Sequence, residues 1–155
     1  MSVAFRRESD EEHKEPRFEL PIPTGPNLVT PRGLEQIRAR LAETERKVAE
    51  AEGETALAEA KRDLRYWQTR HATAEVAPAA AGDEAAFGTR VTFRLNGAGR
   101  AVSIVGDDEA DPAAGYLSFS APLARALIGA CAGDLVDFNG RAEAIEVLKV
   151  QPLAA

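Results

Sequence analysis

The chain has 155 residues, one cysteine, 45% hydrophobic and only 6% aromatic residues, and a formal net charge of −6. That length suits one domain or two small ones; no apolar run approaches the ~20 residues of a membrane helix, and the charged start MSVAFRRESDEEHKEP lacks the apolar stretch of a secretory signal. One thiol can neither close an internal disulfide nor build a zinc site, so a cytoplasmic chain without cofactor or bound metal is expected.

Residues 1–28 mix charge with PRFELPIPTGPN, where Pro16, Pro21, Pro23 and Pro26 fall too often for a helix or a central strand. This segment reads as a flexible, Pro- and charge-rich arm, unattached to the rest.

Residues 29–77 form the next unit. Thr30-Pro31 starts a helix with a mechanism, because the Thr hydroxyl accepts a backbone N–H and Pro at the first position gives up a donor that had no partner. Leu34, Ile37, Leu41, Thr44, Val48 and Ala51 then recur at spacings of three and four, a heptad seam. Gly53 can end that helix in a left-handed conformation and Glu54-Thr55 open another. The second seam is Leu57, Ala60, Leu64, Trp67, His71 and Ala74, with His71 packed as a neutral imidazole. Two equal seams joined by a tight turn predict an antiparallel coiled-coil hairpin, with Leu41 near Trp67 and arms of roughly 22 residues, or ~33 Å.

APAAAG marks a linker over 78–84, and 85–155 form the last domain. Thr89–Leu95 alternates as a strand, NGAG is a hairpin turn, Arg100–Val105 returns, and Tyr116–Phe119 is short and β-prone. Ala121–Ile128 is helical, and Asp134–Phe138 and Ala142–Val150 are strands around Asn139-Gly140. The whole is α+β: a helical hairpin followed by a mainly antiparallel sheet with one helix across a face. Cys131, in LIGACAGD among small apolar neighbours, is expected to be buried.

No part of the chain is strongly basic: Thr30 to Ala77 carries 9 basic and 9 acidic side chains, and the remainder toward the C-terminus carries 6 and 10. Lys61, Arg62 and Arg65 stand beside Glu59 and Asp63. Independent nucleic-acid binding is therefore disfavoured, and a protein with a basic surface is the better partner. Asp107, Asp108, Glu109 and Asp111 crowd into five positions, and their repulsion must be answered. They miss the spacing of a calcium loop, and no His, nucleophile or phosphate-binding loop accompanies them as an enzyme would require. As a recognition loop they are coherent: Pro112 fixes the turn, Asp111 bonds its own backbone, and the other carboxylates face outward toward Arg or Lys of a partner.

The stretch IVGDDEADPAAGYLSFSAPLARALIGACAGD, Ile104 to Asp134, resembles the C-terminal domain of the bacterial Gre transcript cleavage factors, the GreA/GreB family. The pattern there is close to I-V-G-x-D-E-A-D-x-x-x-G-x-I-S-x-x-S-P-[LI]-A-R-A-L-[LI]-G-x-x-x-G-D. NLVTPRGLEQIRARL and the hairpin before the β domain are similar as well. The resemblance implies an FKBP-like β domain and a partner, bacterial RNA polymerase. In such proteins that domain docks on the β′ rim of the secondary channel and the hairpin enters the channel. Carried onto this chain, it implies a docking surface of Asp108, Glu109, Asp111, Pro112, Ser120 and Pro122.

The chain departs from the family at the hairpin tip. AEAEGETALAEA lacks the G-D-L-x-E-N-A-E-like stretch whose carboxylates help hold the polymerase's second Mg²⁺, although Glu50, Glu52 and Glu54 keep the tip acidic. The shortened hairpin resembles that of Rnk, a Gre-related regulator. A monomeric, non-enzymatic factor modulating elongation without full cleavage stimulation is therefore expected. A true cleavage factor, an FKBP-like prolyl isomerase and a homodimerising hairpin are the alternatives.

Overall fold

The computed structural model describes residues 19–153, so the first 18 positions of the arm lie outside the described residues. Two compact units divide the chain: one holds Ile37–Thr73 with the segment ending at Gly25, and the other holds Pro26–Gln36 with everything from Ala74 onward.

Helix α1 (Pro31–Glu50), whose residues up to Gln36 belong to the second unit, and helix α2 (Glu54–Thr73) are joined across residues 51–53. Gly53 takes φ +93° there, and its carbonyl accepts the N–H of Leu57 to begin α2. The helices run back antiparallel: the Arg40 guanidinium lies 5.7 Å from the Trp67 ring centroid, and Trp67 meets Tyr66 edge-on at 4.9 Å. Of the expected seam positions Ile37, Thr44 and Ala60 are buried, and Leu34, Leu41, Val48, Leu57, Leu64 and Trp67 are half-buried. Thr44 satisfies its hydroxyl by donating to the Arg40 and Leu41 carbonyls, both at 3.0 Å. One seam position differs. His71 is exposed, and Arg70 is the buried residue of the last turn. Positions three and four beyond Trp67 flank the same stripe, and the aliphatic stem of an arginine fills it as readily as an imidazole.

The described end of the arm is attached, contrary to the expectation of an unattached segment. Glu19 receives both a 2.8 Å bond from Arg65 Nε and a 2.6 Å bond from Arg65 Nη2. Those bonds hold the Glu19 carboxyl below its ordinary range and raise Arg65.

The second unit begins with β1 (Leu28–Val29), which pairs in parallel with β2 (Glu75–Val76). Its main sheet contains β3 (Thr89–Leu95), β4 (Ala98–Val105), β5 (Tyr116–Ser118), β6 (Leu135–Phe138) and β7 (Arg141–Pro152), in the order β5-β4-β3-β7-β6. All neighbours are antiparallel except β4 and β5, which run parallel and are linked by residues 106–115. Both hairpins turn on two residues with positive φ, Asn96-Gly97 and Asn139-Gly140, the arrangement that matches strand twist. Gly99 is part of β4 rather than of the turn.

The alternation in β3 sends Val91 and Phe93 inward, where they meet Val102, Ile104, Ile145 and Val147. Helix α3 (Pro122–Leu127) adds Ala124 and Leu127 to this core, and Ala85 and Ala130 fill the tight places. Cys131 is exposed, not buried. It follows the Gly129-Ala130 turn, where Ala130 takes the interior position and the next side chain is turned out.

Gly106 lies where a Cβ would run into the backbone carbonyl oxygen of Leu28, whereas a Cβ at Gly99 meets nothing. Gly106→Ala is therefore expected to lower unfolding free energy by about 1–3 kcal/mol, as overpacking does. Gly99→Ala should be neutral or slightly stabilising, since it only removes backbone freedom inside a strand. Urea unfolding of the two variants, read by circular dichroism, checks this.

Candidate docking loop

The loop at 106–115 leaves β4 and returns as β5, and its return is fixed by backbone bonds. Ser103 N–H donates to the Gly115 carbonyl at 2.7 Å, Asp111 N–H to Tyr116 at 2.7 Å, and Tyr116 N–H to Asp111 at 3.0 Å. A 3₁₀ turn at Pro112–Ala114 fills the space between, closed by Gly115 at φ +88°. Asp111 thus shapes the turn with its backbone, and its side chain makes no capping bond.

The carboxylates of the loop go different ways. Asp107 Oδ1 accepts from Ser118 Oγ at 2.6 Å and Ser120 Oγ at 3.1 Å, tying the start of the loop to the segment that leads into α3. Ser120 consequently serves Asp107 and not the helix: the capping position of α3 is Ala121, without a side-chain bond. Asp108 is half-buried. Glu109 does not face outward as expected; it is only 6% exposed.

The inward turn of Glu109 is explained by residues far away in sequence. Its Oε1 accepts from Thr30 Oγ1 at 2.6 Å and its Oε2 from Arg32 Nη1 at 2.8 Å. Thr30 Oγ1 also accepts the N–H of Gly33 at 3.0 Å, so the hydroxyl that caps α1 is the one that binds the loop. Arg32 in turn lies 4.1 Å from the centroid of Tyr116. A Cβ on Gly33 would stand 2.7 Å from Glu109 Oε1, so glycine makes room for the carboxylate. Sequence reasoning read Thr30 as a helix cap and gave Arg32 no role, because nothing local marks a partner 77 or 79 positions away.

Among the residues expected to meet a partner, Asp111, Pro112, Ser120 and Pro122 are exposed. Glu50, Glu52 and Glu54 are exposed at the hairpin turn. Among the described residues, no group of three or more His, Cys, Asp or Glu converges as a metal site, and no helix is long and apolar enough to cross a membrane.

The exposed Cys131 is poor in thiolate. Desolvation pushes its pKa up, and the carboxylates of Asp134, Glu84 and Asp83 push it further. A maleimide is thus expected to label one thiol per chain in the native protein. The labelling rate should keep rising with pH after that of an ordinary thiol has levelled off. Saturation without denaturant checks the exposure, and the rate profile checks the shift.

Comparison with known proteins adds family identity to this geometry. Residues 79–152 match the family model described as transcription elongation factor, GreA/GreB, C-term. The chain is 56% identical over 50 residues to the transcription elongation factor GreA of Chelativorans sp. (strain BNC1), covering 31% of this chain and 32% of that protein. It is 42% identical over 73 residues to GreA of Rhizobium etli (strain CIAT 652), covering 44% and 46%. The chain therefore spans less than half the length of these curated relatives. Among solved structures it is similar to GreA factor homolog 1 (Gfh1) of Thermus thermophilus, with a TM-score of 0.39, 18% identity and 82% and 99% of the two chains covered. It is also similar to a GreA/GreB elongation factor from Nitrosomonas europaea, with a TM-score of 0.40, 17% identity and 83% and 99% covered. Residues 79–152, from the linker to the end of β7, match the C-terminal domain of the GreA/GreB transcription elongation factor family.

Proposed function

We propose that this protein binds bacterial RNA polymerase through the 106–115 loop and the start of α3, at the rim of the secondary channel, and modulates elongation without itself catalysing a reaction. The observation that carries this reading is the exposed set Asp111 and Pro112, on a loop with Asp108 held in shape by its own backbone, and Ser120 and Pro122 where α3 begins. Carboxylates presented on a preformed turn suit a basic rim, where they set association rate and register. Glu109 is left out of this surface. The chain acts in the cytoplasm as a monomer, and the hairpin is a coiled-coil probe attached to an FKBP-like domain.

The helices have 20 residues each, or about 30 Å. That is short for an element that must carry carboxylates to a polymerase active centre, so occupancy of the channel, in competition with longer factors, is the proposed effect. The exposed Glu50, Glu52 and Glu54 favour one second reading, in which they assist the polymerase's own transcript cleavage.

Two measurements test these readings. The protein should bind core RNA polymerase, and Asp108→Lys combined with Asp111→Lys should weaken binding at least ~10-fold at low salt and less at high salt; unchanged affinity removes the docking surface. On backtracked complexes, the native protein should leave transcript cleavage at its unstimulated rate. Stimulation that disappears when Glu50, Glu52 and Glu54 are all changed to Gln would establish the second reading instead.

A further inference from the structure

The carboxylate at the centre of the docking loop, Glu109, is the buried one. Both of its oxygens are taken by residues at the start of α1, across 77 and 79 positions of sequence. Around it a series of contacts closes a circuit. Thr30 caps α1 and donates to Glu109, Arg32 donates to Glu109 and lies over Tyr116, and Tyr116 ends the loop by exchanging backbone bonds with Asp111. Two glycines allow the approach: Gly33 under the carboxylate, and Gly106 under the Leu28 carbonyl. Thr30, Arg32 and Gly33 belong to the same compact unit as the loop, and α1 continues without a break to Glu50.

We infer that Glu109 is a positioning residue, which fastens the docking loop to the first turn of α1 so that the surface gripping a partner also holds the base of the helical hairpin. The inference rests on the reading that the loop docks on RNA polymerase. The loop's acids then have separate roles, with Asp108 and Asp111 serving affinity and Glu109 serving what the bound protein does. A carboxylate whose oxygens accept from a hydroxyl and a guanidinium in a buried place has little to gain from a partner's cation, since each bond would have to be broken first. The Thr30 oxygen that accepts the Gly33 N–H is the one whose hydrogen goes to Glu109, so a disturbance of the loop can reach the helix through one atom.

The test uses the full chain with Glu109→Gln, Thr30→Val, the double variant, Thr30→Ser, and Asp108→Asn/Asp111→Asn. In the free protein, amide hydrogen exchange at Gly33 and Leu34 should accelerate about tenfold or more in Glu109→Gln and in Thr30→Val. The double variant should exchange no faster than the faster single one, because the two changes break one linkage. Thr30→Ser, which keeps the hydroxyl, should stay within about twofold of the native rate, as should the Asp108/Asp111 pair. On core RNA polymerase, Glu109→Gln should keep its affinity within about twofold yet lose most of its effect on elongation rate at saturation. A simple loss of fold would lower both. Native exchange in Glu109→Gln, or accelerations that multiply in the double variant, overturns the inference. So does an affinity loss in Glu109→Gln equal to that of the Asp108/Asp111 pair, for Glu109 would then touch the polymerase itself. If the Asp108/Asp111 pair binds like the native protein, the docking reading fails, and the exchange rates alone decide whether the linkage exists.

Discussion

A charge buried beside a helix start is the constraint on which the arrangement of the second unit depends. Glu109, 6% exposed, lies within hydrogen-bonding distance of Thr30 and Arg32. An unpaired carboxylate in that position would carry a desolvation penalty of several kcal/mol. The pairing is possible only because three separate features meet there. The strand pair β1–β2 brings residues 28–30 alongside the sheet, Gly106 lets the Leu28 carbonyl approach, and Gly33 leaves the space a side chain would take. None of these would have a reason to coincide if the loop were merely a solvated turn.

This arrangement also shows how three of the loop's four carboxylates are accommodated. Repulsion among them is reduced by geometry before any partner is present. Asp107 accepts from two serine hydroxyls, Glu109 pairs with a guanidinium, and Asp111 takes the outside of a turn that its backbone defines. The serine hydroxyls are as much a part of the loop as the acids. Ser118 and Ser120 stand 2.9 Å apart and both reach Asp107, and the short helix α3 begins on Pro122 after Ala121, whose side chain has no oxygen to cap it.

What the sequence made legible depends on the range of the interactions involved. Helices and strands were readable because their determinants are local: heptad spacing, a Thr-Pro start, alternation in TRVTFRL, and Asn-Gly at both hairpins. The choice between Arg70 and His71 was not readable, since both flank the same stripe. Neither was the exposure of Cys131, where small apolar neighbours point inward and outward alike. The acids of the loop were visible as a cluster, but their directions were not. The direction of Glu109 depends on Thr30 and Arg32, and no periodicity connects residue 109 with residue 30. The parallel pairing of β4 and β5 was hidden for the same reason, because it is created by the loop and not by the strands.

The sheet leaves little room for an added strand. Its edge strands are brief: β5 has three residues and β6 has four, the latter carrying Asp137. Short, charged edges offer little to an added strand. The longest strand, β7, has 12 residues but is paired on both sides, with β3 and with β6. One face of the sheet is closed by α3 over Phe93, Ile104 and Ile145. A core containing several alanines, at roughly 25 cal/mol per Å² of buried apolar surface, gains less from burial than one of leucines. Its precision then depends more on turns and polar linkages, and the 106–115 loop, bonded at its return and anchored through Glu109, is the segment where exposed acids and a fixed backbone coincide.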